Sequence, residues 1–144
     1  MLEDRKNPAK NKVLVIDDER IIANTLTEIL QLHGFEAKAL YSGESALEWI
    51  KTHRPDIVLS DIMMEEIDGV AAAVRIRELH PECRVILFSA SPLNSESRSQ
   101  ISRLGFEFLD RPLHPKELLE HVRGVAGQGT ATGDPASDTT DPAT

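Results

Sequence analysis

The sequence predicts a doubly wound α/β domain, an open parallel sheet with helices on both faces. Three observations predict it. Short apolar runs recur five times along the 144 residues. Segments with helical periodicity separate them. The first, third and fourth runs are apolar at nearly every position, as strands covered on both faces must be. Alternation of this kind implies right-handed crossovers between parallel strands.

The first run is "VLVI", residues 13–16. A helix follows from Arg20 to His33, with Ile22, Leu26, Ile29 and Leu30 on one face and Gly34 closing it. The second run, "FEAKAL" (35–40), alternates polar and apolar residues and suits a sheet edge. Ser42 is the expected N-cap of a second helix through His53, carrying Ala46, Leu47 and Ile50, and Pro55 stops it. The third run is "DIVLS" (56–60). A third helix fits Gly69 to His80, with Val70, Ala73, Val74 and Leu79 inward. The fourth run is "RVILF" (84–88), followed by a Ser- and Arg-rich helix near Asn94–Leu104. The fifth run, "FEFL" (106–109), precedes a helix from Pro115 to about Val125 with Leu118, Leu119 and Val122. With runs one, three and four central and run two at an edge, the strand order is 2-1-3-4-5, flavodoxin-like.

The expected boundaries are an N-terminal extension (1–11), one domain (12–125) and a tail (126–144). The tail has no Leu, Ile or aromatic residue, so it cannot bury enough surface to offset ordering and is expected to be disordered and dispensable. A formal net charge of -8 argues against general binding to nucleic acid or anionic membrane. The single cysteine, Cys83, allows no intrachain disulfide and is read as a small buried apolar residue. No run approaches the roughly 18 apolar residues of a membrane span, and a cytoplasmic location is expected.

In an open parallel sheet, ligands bind at the carboxyl ends of the strands. The residues just after each run are therefore the candidates. They are Asp17 and Asp18 after run one, Asp61 after run three, Ser89 after run four, and Asp110, Arg111 and Pro112 after run five. Strands one, three, four and five are neighbours in the expected order. Carboxylates gathered on one rim strongly disfavour full ionisation unless a cation joins them. The candidate ligands are oxygens, without His or Cys, which selects a hard ion such as Mg²⁺. A hydroxyl and a guanidinium beside them suit a phosphoryl group, and a carboxylate beside such an ion can act as a nucleophile.

The motifs "VIDDE", "LSDIMMEEIDG", "LFSAS" and "GFEFLDRP" resemble those of the receiver domain of bacterial two-component response regulators. The resemblance spans about Lys12 to Val125 and implies a Mg²⁺-dependent phosphoacceptor. It implies that Asp61 accepts the phosphoryl group and that Asp17, Asp18, Asp61 and the Met63 backbone carbonyl hold the metal. It further implies that Ser89 bonds the phosphoryl oxygens, that Phe108 follows Ser89 as a switch, and that the Arg111–Pro112 bond is cis. Two departures stand out: Glu65 where the family usually has Pro, and Arg111 where it has Lys before Pro.

The expected partners are a histidine kinase or phosphotransfer protein and a downstream protein, with no output domain in the chain. A monomer is expected, dimerising on phosphorylation through Ile101, Leu104, Phe108 and the fifth helix. An alternative is a degenerate receiver that binds proteins without phosphate, supported by Arg111. A second alternative, an aspartyl-phosphate phosphatase, is disfavoured, because Met63 and Glu19 stand where a general-acid Asp is needed. The protein is therefore not expected to be an enzyme. His33, His53, His80, His114 and His121 read as solvated or capping residues, and Met63 and Met64 as loop and core fillers.

Overall fold

The computed structural model describes residues 12–64, 68–89, 91–109 and 114–123. The 1–11 extension, Glu65, Arg111, Pro112 and the 126–144 tail lie outside them. The chain divides into two units, Met1–Arg111 and Pro112–Thr144.

In the first unit the elements are β1 (Lys12–Ile16), α1 (Arg20–Leu32), β2 (Glu36–Leu40), α2 (Gly43–Trp49) and β3 (Ile57–Asp61). They continue as α3 (Gly69–Leu79), β4 (Arg84–Phe88), α4 (Ser95–Arg103) and β5 (Glu107–Leu109). In the second unit α5 spans Pro115–Val122, with His114 as N-cap and Leu118, Leu119 and Val122 buried. The strands form one parallel sheet in the order β2-β1-β3-β4-β5. That is the order expected from the apolar runs.

Register explains the core. Leu14 lies opposite Val58, and Val58 opposite Val85; Ile16 lies opposite Ser60, and Ser60 opposite Leu87. Side chains alternate between faces, so these rows share one face. There they join Ile50, Ala73, Ile76 and Ile101 in a buried cluster under α2, α3 and α4. Helix α1 packs on β1 and β2. Strand β3 is buried along its whole length, as the central position requires.

Helix boundaries follow local chemistry. Ser42 Oγ accepts a hydrogen bond from Ser45 N at 3.0 Å and starts α2. Asp68 and Asn94 cap α3 and α4 in the same way. Gly34 takes φ +93° after α1, a left-handed conformation that only glycine adopts without cost. His33 and His53 each donate a ring N–H to a carbonyl, that of Ile29 and of Trp49, so both act as helix-end caps. Cys83 is buried at the foot of β4, as expected.

Several expectations shift. Helix α2 ends at Trp49, not His53. The buried face of α1 is Ala23, Leu26, Thr27 and Leu30, with Ile22 and Ile29 on its flanks. On α3 it is Gly69, Ala72, Ala73 and Ile76, while Leu79 is 47% exposed. Small residues let α3 lie close to the sheet, and Leu79 falls off that stripe. Ile101, expected at a dimer face, is 2% exposed and belongs to the core. Strand β3 runs through Asp61 instead of stopping before it.

Candidate functional site at the carboxyl ends of the strands

Strand β1 delivers Asp17 and Asp18 to the rim, and β3 delivers Asp61 beside them. One carboxylate oxygen from each lies within 4.8 Å of the other two. Backbone bonds fix the approach. Asp17 N donates to Leu40 O at 3.1 Å, and Ile62 N donates to Phe88 O at 2.9 Å. The carboxylates are tied down as well: Asp17 Oδ1 accepts from Glu19 N at 2.9 Å, and Asp61 Oδ1 from Met63 N at 3.2 Å.

Gly69, the first residue of α3, presses on this turn. A Cβ there would stand 2.3 Å from Asp61 O and 2.6 Å from Ile62 Cα. Its N–H donates to Ile62 O at 2.9 Å. The glycine is required by this close approach of backbone to backbone.

The electrostatics follow from burial. Asp17 is 2% exposed and Asp61 9% exposed. Burial is the main cause that pushes Asp17 up to about 7. The Glu19 N–H opposes the rise, and the charges of Asp61 and Asp18 add to it. Asp61 is raised for the same first reason, opposed by the Met63 N–H, with the Asp18 charge raising it and a hydrogen bond from Asp17 lowering it. Without a counter-ion the site therefore favours a proton over full ionisation.

A small divalent cation fits this donor set. Two Mg–O bonds of about 2.1 Å span at most about 4.2 Å. The observed 4.8 Å envelope closes to that with an adjustment of roughly half an ångström. The donors are all oxygens, which suits a hard ion.

Ser89 follows β4, one residue past Phe88, which lies opposite Asp61 in register. It is 2% exposed. Its Oγ donates to Ser91 O at 2.7 Å and accepts from Ser91 N at 3.2 Å. The hydroxyl is thus engaged by its own loop. Phe108 lies opposite Leu87 on β5 and packs against the core cluster, half-buried. The Arg98 guanidinium sits 5.2 Å from its ring centroid. Met63 is 62% exposed. The structure thus brings Asp17, Asp18 and Asp61 together and places Ser89 at the next strand end. Sequence reasoning missed Gly69 and the Glu19 and Met63 amides. "DG" before a helical segment was the only trace of the first.

The sequence profile of the family described as the response regulator receiver domain matches residues 13–123. Among curated relatives, the response regulator MprA of Mycobacterium ulcerans is 27% identical over 88% of this chain and 55% of its own. The DNA-binding transcriptional regulator NtrC of Azospirillum brasilense is 28% identical over 82% of this chain and 24% of its own. The chain thus spans about half the length of one and a quarter of the other. Among solved structures, the response regulator TrrA of Thermotoga maritima, in complex with Mg(2+)-BeF, is 33% identical with a TM-score of 0.69. It aligns over 78% of this chain and 96% of its own. A CheY-like receiver domain protein from Methanospirillum hungatei shares the fold, with a TM-score of 0.75 at 20% identity over 81% of this chain and 93% of its own. Profile, fold and rim carboxylates converge, and the chain belongs to the response regulator receiver domains of two-component signalling.

Proposed function

We propose that Asp61 is a phosphoacceptor and that residues 12–125 work as a Mg²⁺-dependent signalling switch, not as an enzyme acting on a separate substrate. The observation that carries this reading is the convergence of Asp17, Asp18 and Asp61 within 4.8 Å. Asp17, Asp18, Asp61 and the Met63 carbonyl would hold the cation. When bound, that ion neutralises the rim and draws charge from the transferring phosphoryl oxygens.

The chain's own groups do the rest. An Asp61 Oδ attacks phosphorus and forms an O–P bond. The P–N bond of a donor phosphoimidazole breaks, and the imidazole leaves with its electron pair and takes a proton from solvent. Asp61 is held for attack by the Met63 amide and by Gly69 behind its backbone. Ser89 Oγ gives up Ser91 O and donates to a phosphoryl oxygen, and Phe108 follows on the adjoining strand. Arg111, outside the described residues, stands 22 positions after Ser89 (111 − 89) and would pair with the phosphoryl group.

The donor partner is a histidine kinase or phosphotransfer protein, and the output is a contact with a further protein, in the cytoplasm. Among the described residues no helix is long and apolar enough to cross a membrane. The test is intact-mass measurement after incubation with a small acyl phosphate and Mg²⁺. One phosphoryl adduct is expected, lost with Asp61→Asn and with chelator. An adduct that persists in Asp61→Asn would place the chemistry elsewhere. No adduct on the wild-type protein, with Arg111→Lys restoring one, would favour the degenerate receiver.

A further inference from the structure

At the amino ends of the strands, the start of β1, the start of β2, the end of α2 and the 51–55 connection enclose a cleft of about 710 Å³. Four cationic side chains line it: Lys12, Lys38, Lys51 and Arg54. Glu36 is its one acidic lining residue. The lining thus carries 4 − 1 = +3 formal charges, on a chain whose total is -8. Lys12 and Asp17 stand at opposite ends of β1, five residues apart (17 − 12), about 17 Å at the rise of a strand. The cleft is separate from the carboxylate rim.

We propose that this cleft binds a small, multiply phosphorylated anion. Register gathers the charges. Lys12 lies opposite Glu36, and Leu14 opposite Lys38, so alternation puts Lys12, Glu36 and Lys38 on one face. Among the described residues, the side chains of Lys12, Lys38 and Arg54 make no ion pair, although the Lys12 backbone N–H donates to Asp56 Oδ2 at 3.1 Å. Lys51 does pair with Glu48 at 3.1 Å, but both side chains are exposed and such pairs exchange readily. Arg54 precedes buried Pro55, which restricts its backbone to extended conformations and steadies the guanidinium's base. A forked guanidinium beside ammonium groups is the arrangement that recognises phosphate.

Size and surrounding charge favour a small ligand. The volume lies in the range of small-molecule sites. A long polyanion would meet the acidic remainder of the surface and be repelled. The lining also holds an aromatic pair, Trp49 and His53, stacked at 4.2 Å with planes 3° apart. That platform suits a nucleobase, so the phosphates come either from a nucleotide or from a free polyphosphate.

Trp49 is the chain's single tryptophan and reports directly on the cleft. The experiment titrates the full chain with tripolyphosphate and, separately, with ATP, at low salt with chelator present, following Trp49 fluorescence and calorimetric heat. A saturable change is expected, weakening at least tenfold in a Lys38→Gln, Arg54→Gln double variant and unaltered in Asp61→Asn. Tighter binding of ATP identifies a nucleotide; equal binding identifies the phosphate chain alone. No saturable response, a response the double variant keeps in full, or a response to duplex DNA alone overturns the proposal. Both substitutions lie on exposed side chains, so circular dichroism should show an intact fold.

Discussion

At the carboxyl ends of β1 and β3, Asp17 and Asp61 are 2% and 9% exposed. At the amino ends of β1 and β2, Lys12 and Lys38 are open to solvent. Both ends gather like charges, but the carboxylates are buried and the lysines are not. Asp17 is driven up to about 7. Water screens the exposed cations, so their gathering costs little and can be undone by salt. The buried carboxylates have no such relief, and their charge state is bound to whatever else enters the rim. A switch needs that second condition, because a charge that matters to folding can be used to shift structure.

The largest expected effect tests this contrast directly. An acid whose folded pKa is raised holds its proton more tightly in the native state. Stability is then full below the unfolded value of 3.8 and is lost as pH rises through about 7. In chelator, urea denaturation at about pH 4 and about pH 8 should differ by up to about 4 kcal/mol. Added Mg²⁺ or the Asp17→Asn substitution should flatten the profile. A flat profile in the metal-free wild type would mean that the carboxylates are solvated and the two ends alike.

Gly69→Ala should come next, at about 3 kcal/mol of destabilisation measured by the same denaturation. The added Cβ meets backbone at Asp61 and Ile62, which cannot rotate away. The phosphoryl adduct should fall with it. A change under about 0.5 kcal/mol would show that α3 can retreat from the rim without consequence.

The smallest effect belongs to the basic end. Lys38→Gln should change stability by less than about 0.5 kcal/mol at any pH from about 5 to about 8. A loss comparable to that of Gly69→Ala would mean that the lysine is structural, and the contrast between the ends would fail.

Much of this was legible in the sequence because strands write their burial into composition. "VLVI", "IVLS" and "VILF" announce central strands, and the acids after the first two, with Ser89 after the third, announce the rim. Ser42 and Gly34 announced helix ends by turn chemistry. Other features depend on how elements meet. Gly69 read as a helix start, and only the approach of α3 to β3 shows why it must lack a side chain. Leu79 looked like core and is exposed, because Ala72, Ala73 and Ile76 already fill the stripe that faces the sheet. Ile101 looked available for pairing and is interior, since the Ser- and Arg-rich helix around it offers little else to bury. Lys12, Lys38, Lys51 and Arg54 come from three segments of the chain; strand register brings Lys12 and Lys38 together, and the connection after α2 adds the other two.

Strand β5 is three residues long, with few ladder bonds to hold it. Arg84, at the foot of β4, grips Glu107 with two bonds, Nε to Oε2 at 2.9 Å and a terminal nitrogen to Oε1 at 2.7 Å. The forked pair fastens the end of β5 that lies away from the carboxylates. Phe108 and Leu109 continue from that fastening toward the rim. The strand is therefore pinned at one end, and sliding along β4 would first have to break both bonds.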